Sequence, residues 1–144
     1  ARLGAVISGR SEAEEQAMAA YGMHLGCAFQ LIDDVLDYTV DSDTTGKNVG
    51  DDLAEGKPTL PLIHAMREGS PEQAQIIRHA IEQGGLEVID QILQAIESTG
   101  AIDYTARCAK AEANKAVEAL SNIPASEYKD ALVALAHFAV NRNY

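Results

Sequence analysis

The sequence has 144 residues, with 22 Asp or Glu against 11 Lys or Arg, so its formal charge at neutral pH is −11. This acidic balance excludes nucleic acids and anionic membrane surfaces as natural partners, because both require positive charge. The two cysteines, Cys27 and Cys108, are too few and too far apart for a disulfide framework or a zinc site. The sequence shows no signal peptide and no run of 18 apolar residues, and we expect a cytoplasmic protein without an integral membrane segment.

Composition predicts an all-α fold over residues 1–144, as a single helical domain. Only four prolines occur, 47% of the residues are hydrophobic, and no segment has the alternating pattern of a β-strand. Along the chain, Ser11-x-x-Glu14 is a capping box, which predicts the start of a long helix that extends to about Tyr38.

The C-terminal part of this helix carries three carboxylates in an otherwise apolar run. At 100° per residue, the polar side chains fall within one arc of about 100°, and these are Gln30, Asp33, Asp34 and Asp37. Burying unpaired carboxylates is costly, so the stripe needs water, cations or a polar cavity beside it. Carboxylates one helical turn apart suit Mg²⁺ shared with phosphate oxygens, whereas the plainer interpretation is a solvated helix face.

A polar segment follows the helix, over residues 41–61. Its two lysines come directly after glycines, at Gly46-Lys47 and Gly56-Lys57. Glycine lets a backbone approach closely, and an ammonium group beside a carboxylate cluster can hold phosphate oxygens. The Asp51-Asp52 pair is expected to lie in the loop. An ordinary charged surface loop would look similar.

Further helices are predicted from their caps and apolar spacing. Thr59 is expected to cap a helix that ends near Gly69, and Ser70-Pro71-x-Gln73 predicts the start of the next. Two more are expected on either side of Gly100, and Ser126 predicts the start of the last helix.

Three ordered motifs of this sequence resemble those of the trans-polyprenyl diphosphate synthases. They are Phe29-Gln30-x-x-Asp33-Asp34-x-x-Asp37, Gly46-Lys47-x-x-Gly50-x-Asp52-Leu53 and Glu55-Gly56-Lys57-x-Thr59-Leu60-Pro61. The resemblance is nearest to the bacterial octaprenyl diphosphate synthases. It implies the C-terminal portion of a helical bundle of the isoprenoid synthase type, and a homodimer.

The resemblance also implies a prenyl transfer reaction. An allylic diphosphate is held by Mg²⁺ ions between two aspartate-rich motifs, its pyrophosphate leaves, and isopentenyl diphosphate attacks the allylic cation. The implied metal ligands are Asp33, Asp34 and Asp37, with Asp33 in the most direct contact. The implied substrate-binding residues are Phe29, Gln30, Lys47 and Lys57, and Lys47 joins the three aspartates as a catalytic residue.

The first aspartate-rich motif of such enzymes does not occur in this sequence. The chain begins at Ala1 in a helical pattern without an initiator Met, so we expect it to be the C-terminal part of a longer synthase. On this expectation half of the active site is absent, and the chain alone does not elongate prenyl chains.

Alternatives remain open from the residues. Asp41-x-Asp43-x-Thr45-Gly46 followed by Asp52 matches part of a Ca²⁺-binding helix–loop–helix pattern. A non-catalytic regulatory subunit and a synthase of shorter trans-prenyl chains are also compatible with the motifs.

Overall fold

The computed structural model describes residues 1–39 and 50–141, and within them every regular element is helical. The α-helices are α1 (Arg2–Ile7), α2 (Glu12–Leu36), α3 (Asp51–Ala54), α4 (Leu60–Glu68), α5 (Pro71–Gln83), α6 (Ile89–Ser98), α7 (Ala101–Ala119) and α8 (Glu127–Val140). A 3₁₀ turn, Leu86–Val88, precedes α6. The predicted all-α fold is confirmed for this part of the chain.

Contacts between residues divide the chain into two compact units. The first unit contains Ala1–Ile32 and Cys108–Tyr144, and the second contains Asp33–Arg107. The boundary divides the first of the three sequence motifs, because Phe29 and Gln30 lie in the first unit and its three aspartates lie in the second.

The first unit packs around Tyr21 of α2. This ring is 2% exposed and lies in one apolar cluster with small or aliphatic side chains of α7 and α8 and of the turn that follows α7, among them Ala116, Leu120 and Ala136. Its hydroxyl donates a hydrogen bond of 2.9 Å to the Leu132 carbonyl oxygen, so the only polar atom of the side chain is satisfied. The combination ties α2 to α8.

The second unit has its own apolar core. Fully buried side chains from successive elements form it, including Leu53 of α3, Leu62 of α4, Ile77 of α5 and Ile92 of α6. Tyr38, which follows α2, belongs to the same cluster. This core therefore connects the end of the aspartate-bearing helix to the segment that contains Lys57.

Three predicted N-caps are confirmed by side-chain hydrogen bonds. The Ser11 Oγ accepts from the Glu14 amide at 3.3 Å, the Ser70 Oγ from the Gln73 amide at 3.2 Å, and the Ser126 Oγ from the Lys129 amide at 3.2 Å. Thr59 occupies the N-cap position of α4, but the prediction that its side chain caps the helix is wrong, because its hydroxyl makes no cap hydrogen bond.

In the part of the chain that the structure describes, no helix is both long enough and apolar enough to cross a membrane.

We predict that Ser70→Ala lowers the free energy of unfolding by about 1 kcal/mol, because it removes one half of a reciprocal capping box. In that box the Ser70 amide also donates to Gln73 Oε1 at 2.8 Å. Chemical denaturation of the purified chain measures the change. Ser121→Ala, at an exposed position outside a helix N-terminus, is the matched control. Equal unfolding midpoints for the two variants would contradict the assignment.

Candidate functional site in the second unit

The three aspartates of the predicted stripe lie at the end of α2 with different exposures. Asp34 is only 6% exposed, whereas Asp33 and Asp37 are partly exposed. The helical path continues to Asp37, whose amide donates to the Asp33 carbonyl oxygen at 3.0 Å. Asp33 and Asp37 are therefore one turn apart and are the two accessible carboxylates of the stripe.

Asp37 holds the start of α3. Its carbonyl oxygen accepts the Gly50 amide at 3.1 Å, and its Oδ2 accepts the Asp52 amide at 3.2 Å. The Asp52 amide lies in the first turn of α3, where a helix offers no acceptor of its own. The carboxylate of Asp37 thus caps a neighbouring helix from a different part of the chain.

This arrangement concentrates negative charge. Burial raises the pKa of the Asp37 carboxyl above its usual value, and the carboxylates of Asp52 and Asp51 raise it further. The hydrogen bonds from the Asp52 and Asp51 amides act in the opposite direction but do not reverse the shift. A cation nearby would therefore stabilise the ionised form of Asp37.

Lys57 supplies positive charge to this cluster. Its Nζ lies 3.0 Å from Asp52 Oδ1 and 2.5 Å from a Glu55 carboxylate oxygen. Both contacts raise the pKa of the Lys57 ammonium, that of Glu55 more strongly, so this side chain remains charged at neutral pH. The side chain is 55% exposed, and its exposed ammonium can exchange a carboxylate partner for another anion.

Asp52 connects the two motifs. Its amide donates to Asp37, its side chain contacts Lys57, and its carbonyl oxygen accepts the Lys57 amide at 2.9 Å. Sequence reasoning missed this role and placed Asp51-Asp52 in a loop, whereas both residues belong to α3. No local signal reveals the role, because Asp37 and Asp52 are brought together only by the fold.

The turn before Lys57 requires glycine. Gly56 has a φ of 69°, a left-handed conformation that other residues rarely adopt, and a Cβ there would lie 2.9 Å from the Ile81 carbonyl oxygen of α5. Packing against α5 thus explains the glycine at position 56, whereas the approach of this backbone to phosphate oxygens stays a prediction.

The donor set fits a hard divalent cation only in part. Among the described residues, no three Asp, Glu, His or Cys side chains form a group that could hold a metal ion by themselves. Carboxylate oxygens are nevertheless the ligands that Mg²⁺ prefers, and Mg²⁺ usually keeps several waters or phosphate oxygens in its coordination shell. Asp33 and Asp37 could therefore hold Mg²⁺ as a partial set of ligands.

The remaining predicted residues fall into two groups. Phe29 and Gln30 lie in the first unit, where the Phe29 ring is 45% exposed. Lys47 and the Asp41–Gly46 stretch of the Ca²⁺ pattern lie outside the described residues.

Comparison with known proteins decides the family. The family model described as polyprenyl synthetase matches residues 1–98. This chain belongs to the polyprenyl synthetase family. An octaprenyl diphosphate synthase of Haemophilus influenzae is 56% identical over 141 residues, which are 97% of this chain and 43% of that protein. The octaprenyl diphosphate synthase of Escherichia coli is 50% identical over 144 residues, which are 99% of this chain and 45% of that protein.

Solved structures of the polyprenyl synthetase family agree with the helical fold. A polyprenyl synthase from Caulobacter crescentus, in complex with calcium and isoprenyl diphosphate, superposes with a TM-score of 0.85 at 42% identity and covers 98% of this chain and 44% of its own. A geranylgeranyl pyrophosphate synthase from Corynebacterium glutamicum, in complex with isoprenyl diphosphate and magnesium, superposes with a TM-score of 0.83 at 34% identity. The match covers 98% of this chain and 41% of that synthase. The fold is thus the helical isoprenoid synthase fold, and the chain spans less than half the length of these relatives.

We predict that Gly56→Ala destabilises the chain by about 2–4 kcal/mol, because it combines left-handed backbone strain with a clash against α5. Gly100→Ala is the matched control, since Gly100 has a φ of 63° but open space around it. We expect about 1 kcal/mol for the control. Thermal unfolding of both variants gives the comparison, and equal losses would show that the contact with Ile81 carries no cost.

Proposed function

We propose that this chain provides the second metal–diphosphate motif of a trans-polyprenyl diphosphate synthase, which elongates an allylic diphosphate with isopentenyl diphosphate. The single observation that carries the proposal is the contact chain from Asp37 through Asp52 to Lys57, which joins accessible carboxylates to an exposed ammonium within one unit. Family membership supports the reaction class, and the names of the two octaprenyl synthases support a long-chain product.

In this proposal Asp33 and Asp37 hold Mg²⁺. Their support is the oxygen donor set, their spacing of one turn, and the burial and neighbouring carboxylates that together raise the pKa of Asp37. Asp34, at 6% exposure, has a smaller share in metal contact and orients the helix end. When bound, Mg²⁺ supplies charge neutralisation for the departing diphosphate.

The cationic and polar residues bind the substrate. Lys57 exchanges its exposed partner Glu55 for a diphosphate oxygen while Asp52 keeps the ammonium in position. Lys47 contributes a second cation, and Gln30 and Phe29 contact the allylic substrate. Because Asp37, Asp52 and Lys57 contact one another before substrate arrives, diphosphate departure requires little reorganisation of these three residues.

We also propose a cytoplasmic homodimer. Two widely spaced cysteines support a reducing compartment. Large exposed apolar side chains of the first unit support an association surface, and these include Leu3, Ile7, Tyr128 and Phe138.

We predict that a chimera, in which this chain replaces the matched 45% of the Escherichia coli octaprenyl diphosphate synthase, elongates farnesyl diphosphate with labelled isopentenyl diphosphate in the presence of Mg²⁺. Asp33→Ala in the chimera should lower the rate by at least about 100-fold, because one of the two carboxylates proposed to hold Mg²⁺ at the leaving diphosphate is lost. Chromatography of the products by chain length is the readout.

The isolated chain is the natural control for this chimera and should show no elongation. A folded chimera without product would contradict the proposed activity, and unchanged activity of the Asp33→Ala chimera would contradict the role of Asp33.

We predict that Asp37→Asn stabilises the metal-free chain by less than about 1 kcal/mol, because an ionised carboxyl with a raised pKa opposes folding at neutral pH and solvent screens part of the effect. The asparagine amide oxygen can still accept the Asp52 amide. Thermal unfolding in EDTA and in Mg²⁺ with pyrophosphate measures two consequences. Without metal, Asp37→Asn should unfold at a slightly higher temperature than the parent chain. With Mg²⁺ and pyrophosphate, its unfolding temperature should rise less than that of the parent.

Asp103→Asn, which removes an exposed carboxylate of α7, should leave the response to Mg²⁺ and pyrophosphate unchanged. If Asp37→Asn keeps the full response of the parent chain, Asp37 is not a ligand.

A further inference from the structure

Two hydroxyl groups in the second unit are buried without a hydrogen-bond partner. Tyr38 is 7% exposed and Thr59 is 8% exposed, and neither the Tyr38 Oη nor the Thr59 Oγ1 makes a hydrogen bond of ordinary geometry. A buried hydroxyl without a partner opposes folding, and apolar residues of nearly the same shape, Phe and Val, would avoid the cost. The two hydroxyls therefore call for an explanation other than core packing.

Their places in the chain connect the two halves of the candidate site. Tyr38 directly follows Asp37, and Thr59 lies two residues after Lys57, with its amide donating to the Lys57 carbonyl oxygen at 3.0 Å. Any contact between these two side chains constrains the distance between the backbone segments that carry Asp37 and Lys57.

The two hydroxyls also lie close to each other. Burial raises the pKa of the Tyr38 phenol well above its usual value, and the Thr59 hydroxyl acts against that increase. Thr59 has the extended backbone of an N-cap residue, with φ −72° and ψ 162°, yet its hydroxyl does not cap α4. The side chain thus forgoes its ordinary local hydrogen bond in a position beside Tyr38.

We propose that Tyr38 and Thr59 are positioning residues, whose hydroxyls pair after a small side-chain rotation and fix the Asp37 carboxylate relative to Lys57. The Tyr38 O–H donates and the Thr59 Oγ1 accepts. The pair adds a buried contact between the two segments that the Asp37–Asp52–Lys57 contacts already join. Its effect on diphosphate binding rests on the function proposed above.

The Asp52 amide reports on this positioning directly. It donates to Asp37 Oδ2 and lies at the start of α3, so its protection from solvent exchange depends on that contact. We expect Tyr38→Phe and Thr59→Val each to accelerate exchange of this amide by roughly three- to tenfold. In the double variant, the Asp52 amide should exchange at nearly the same rate as in either single variant. Thr59→Ser keeps the hydroxyl and should retain the protection of the parent chain.

Hydrogen exchange followed by NMR on the 144-residue chain provides the test. The Gln73 amide, which donates to the Ser70 Oγ in the same unit, is the control for general loosening. Faster exchange at Asp52 with an unchanged Gln73 supports the proposal. Unchanged exchange at Asp52, equal acceleration at both amides, or failure of Thr59→Ser to retain protection would overturn it.

A second arm separates this inference from the proposed function. Affinity for pyrophosphate in Mg²⁺ is measured for the parent chain and for Tyr38→Phe. No binding by the parent counts against the proposed function, while the exchange data still decide whether the hydroxyl pair positions Asp37. Equal affinities of a binding parent and Tyr38→Phe overturn the positioning role.

Discussion

The candidate site depends on the way in which Asp52 joins two motifs that lie fifteen and five residues away from it in sequence. Its amide is held by Asp37, and its side chain and carbonyl oxygen are held by Lys57. Without these contacts, the aspartates at the end of α2 and the lysine after α3 would be independent surface features. With them, carboxylates and an ammonium share one surface of the second unit.

Electrostatics explain why this surface is suited to a cation and an anion together. Burial is the main reason why the pKa of Asp37 is raised, and the carboxylates of Asp52 and Asp51 lie close enough to raise it further. Lys57 compensates only part of this charge and is itself shared with Glu55. A divalent cation would relieve the repulsion, and a diphosphate would then balance the added positive charge. Tyr38 and Thr59, each close in sequence to a member of this cluster, are buried, so an unsatisfied hydroxyl on either of them is costly.

The features that could be predicted from the sequence are those that depend on neighbouring residues. The capping boxes at Ser11 and Ser70 require only residues three positions apart, and the stripe of aspartates requires only helical periodicity. The greater burial of Asp34 could not be predicted, because an arc of about 100° treats its members alike and only packing distinguishes them. Two further features could not be predicted for the same reason, because they depend on residues distant in the sequence. These are the contacts of Asp52 with both Asp37 and Lys57, and the Thr59 hydroxyl that does not cap α4.

Titration of the chain with inorganic pyrophosphate, monitored by ³¹P NMR with and without Mg²⁺, tests the central claim most directly. If the Asp37–Asp52–Lys57 contacts form one site for metal and diphosphate, the parent chain binds pyrophosphate only when Mg²⁺ is present, and Lys57→Gln weakens that binding. Arg107→Gln, a substitution of equal charge in the same unit outside these contacts, should bind like the parent. Binding that is independent of Mg²⁺, or equal loss in Lys57→Gln and Arg107→Gln, would contradict the account.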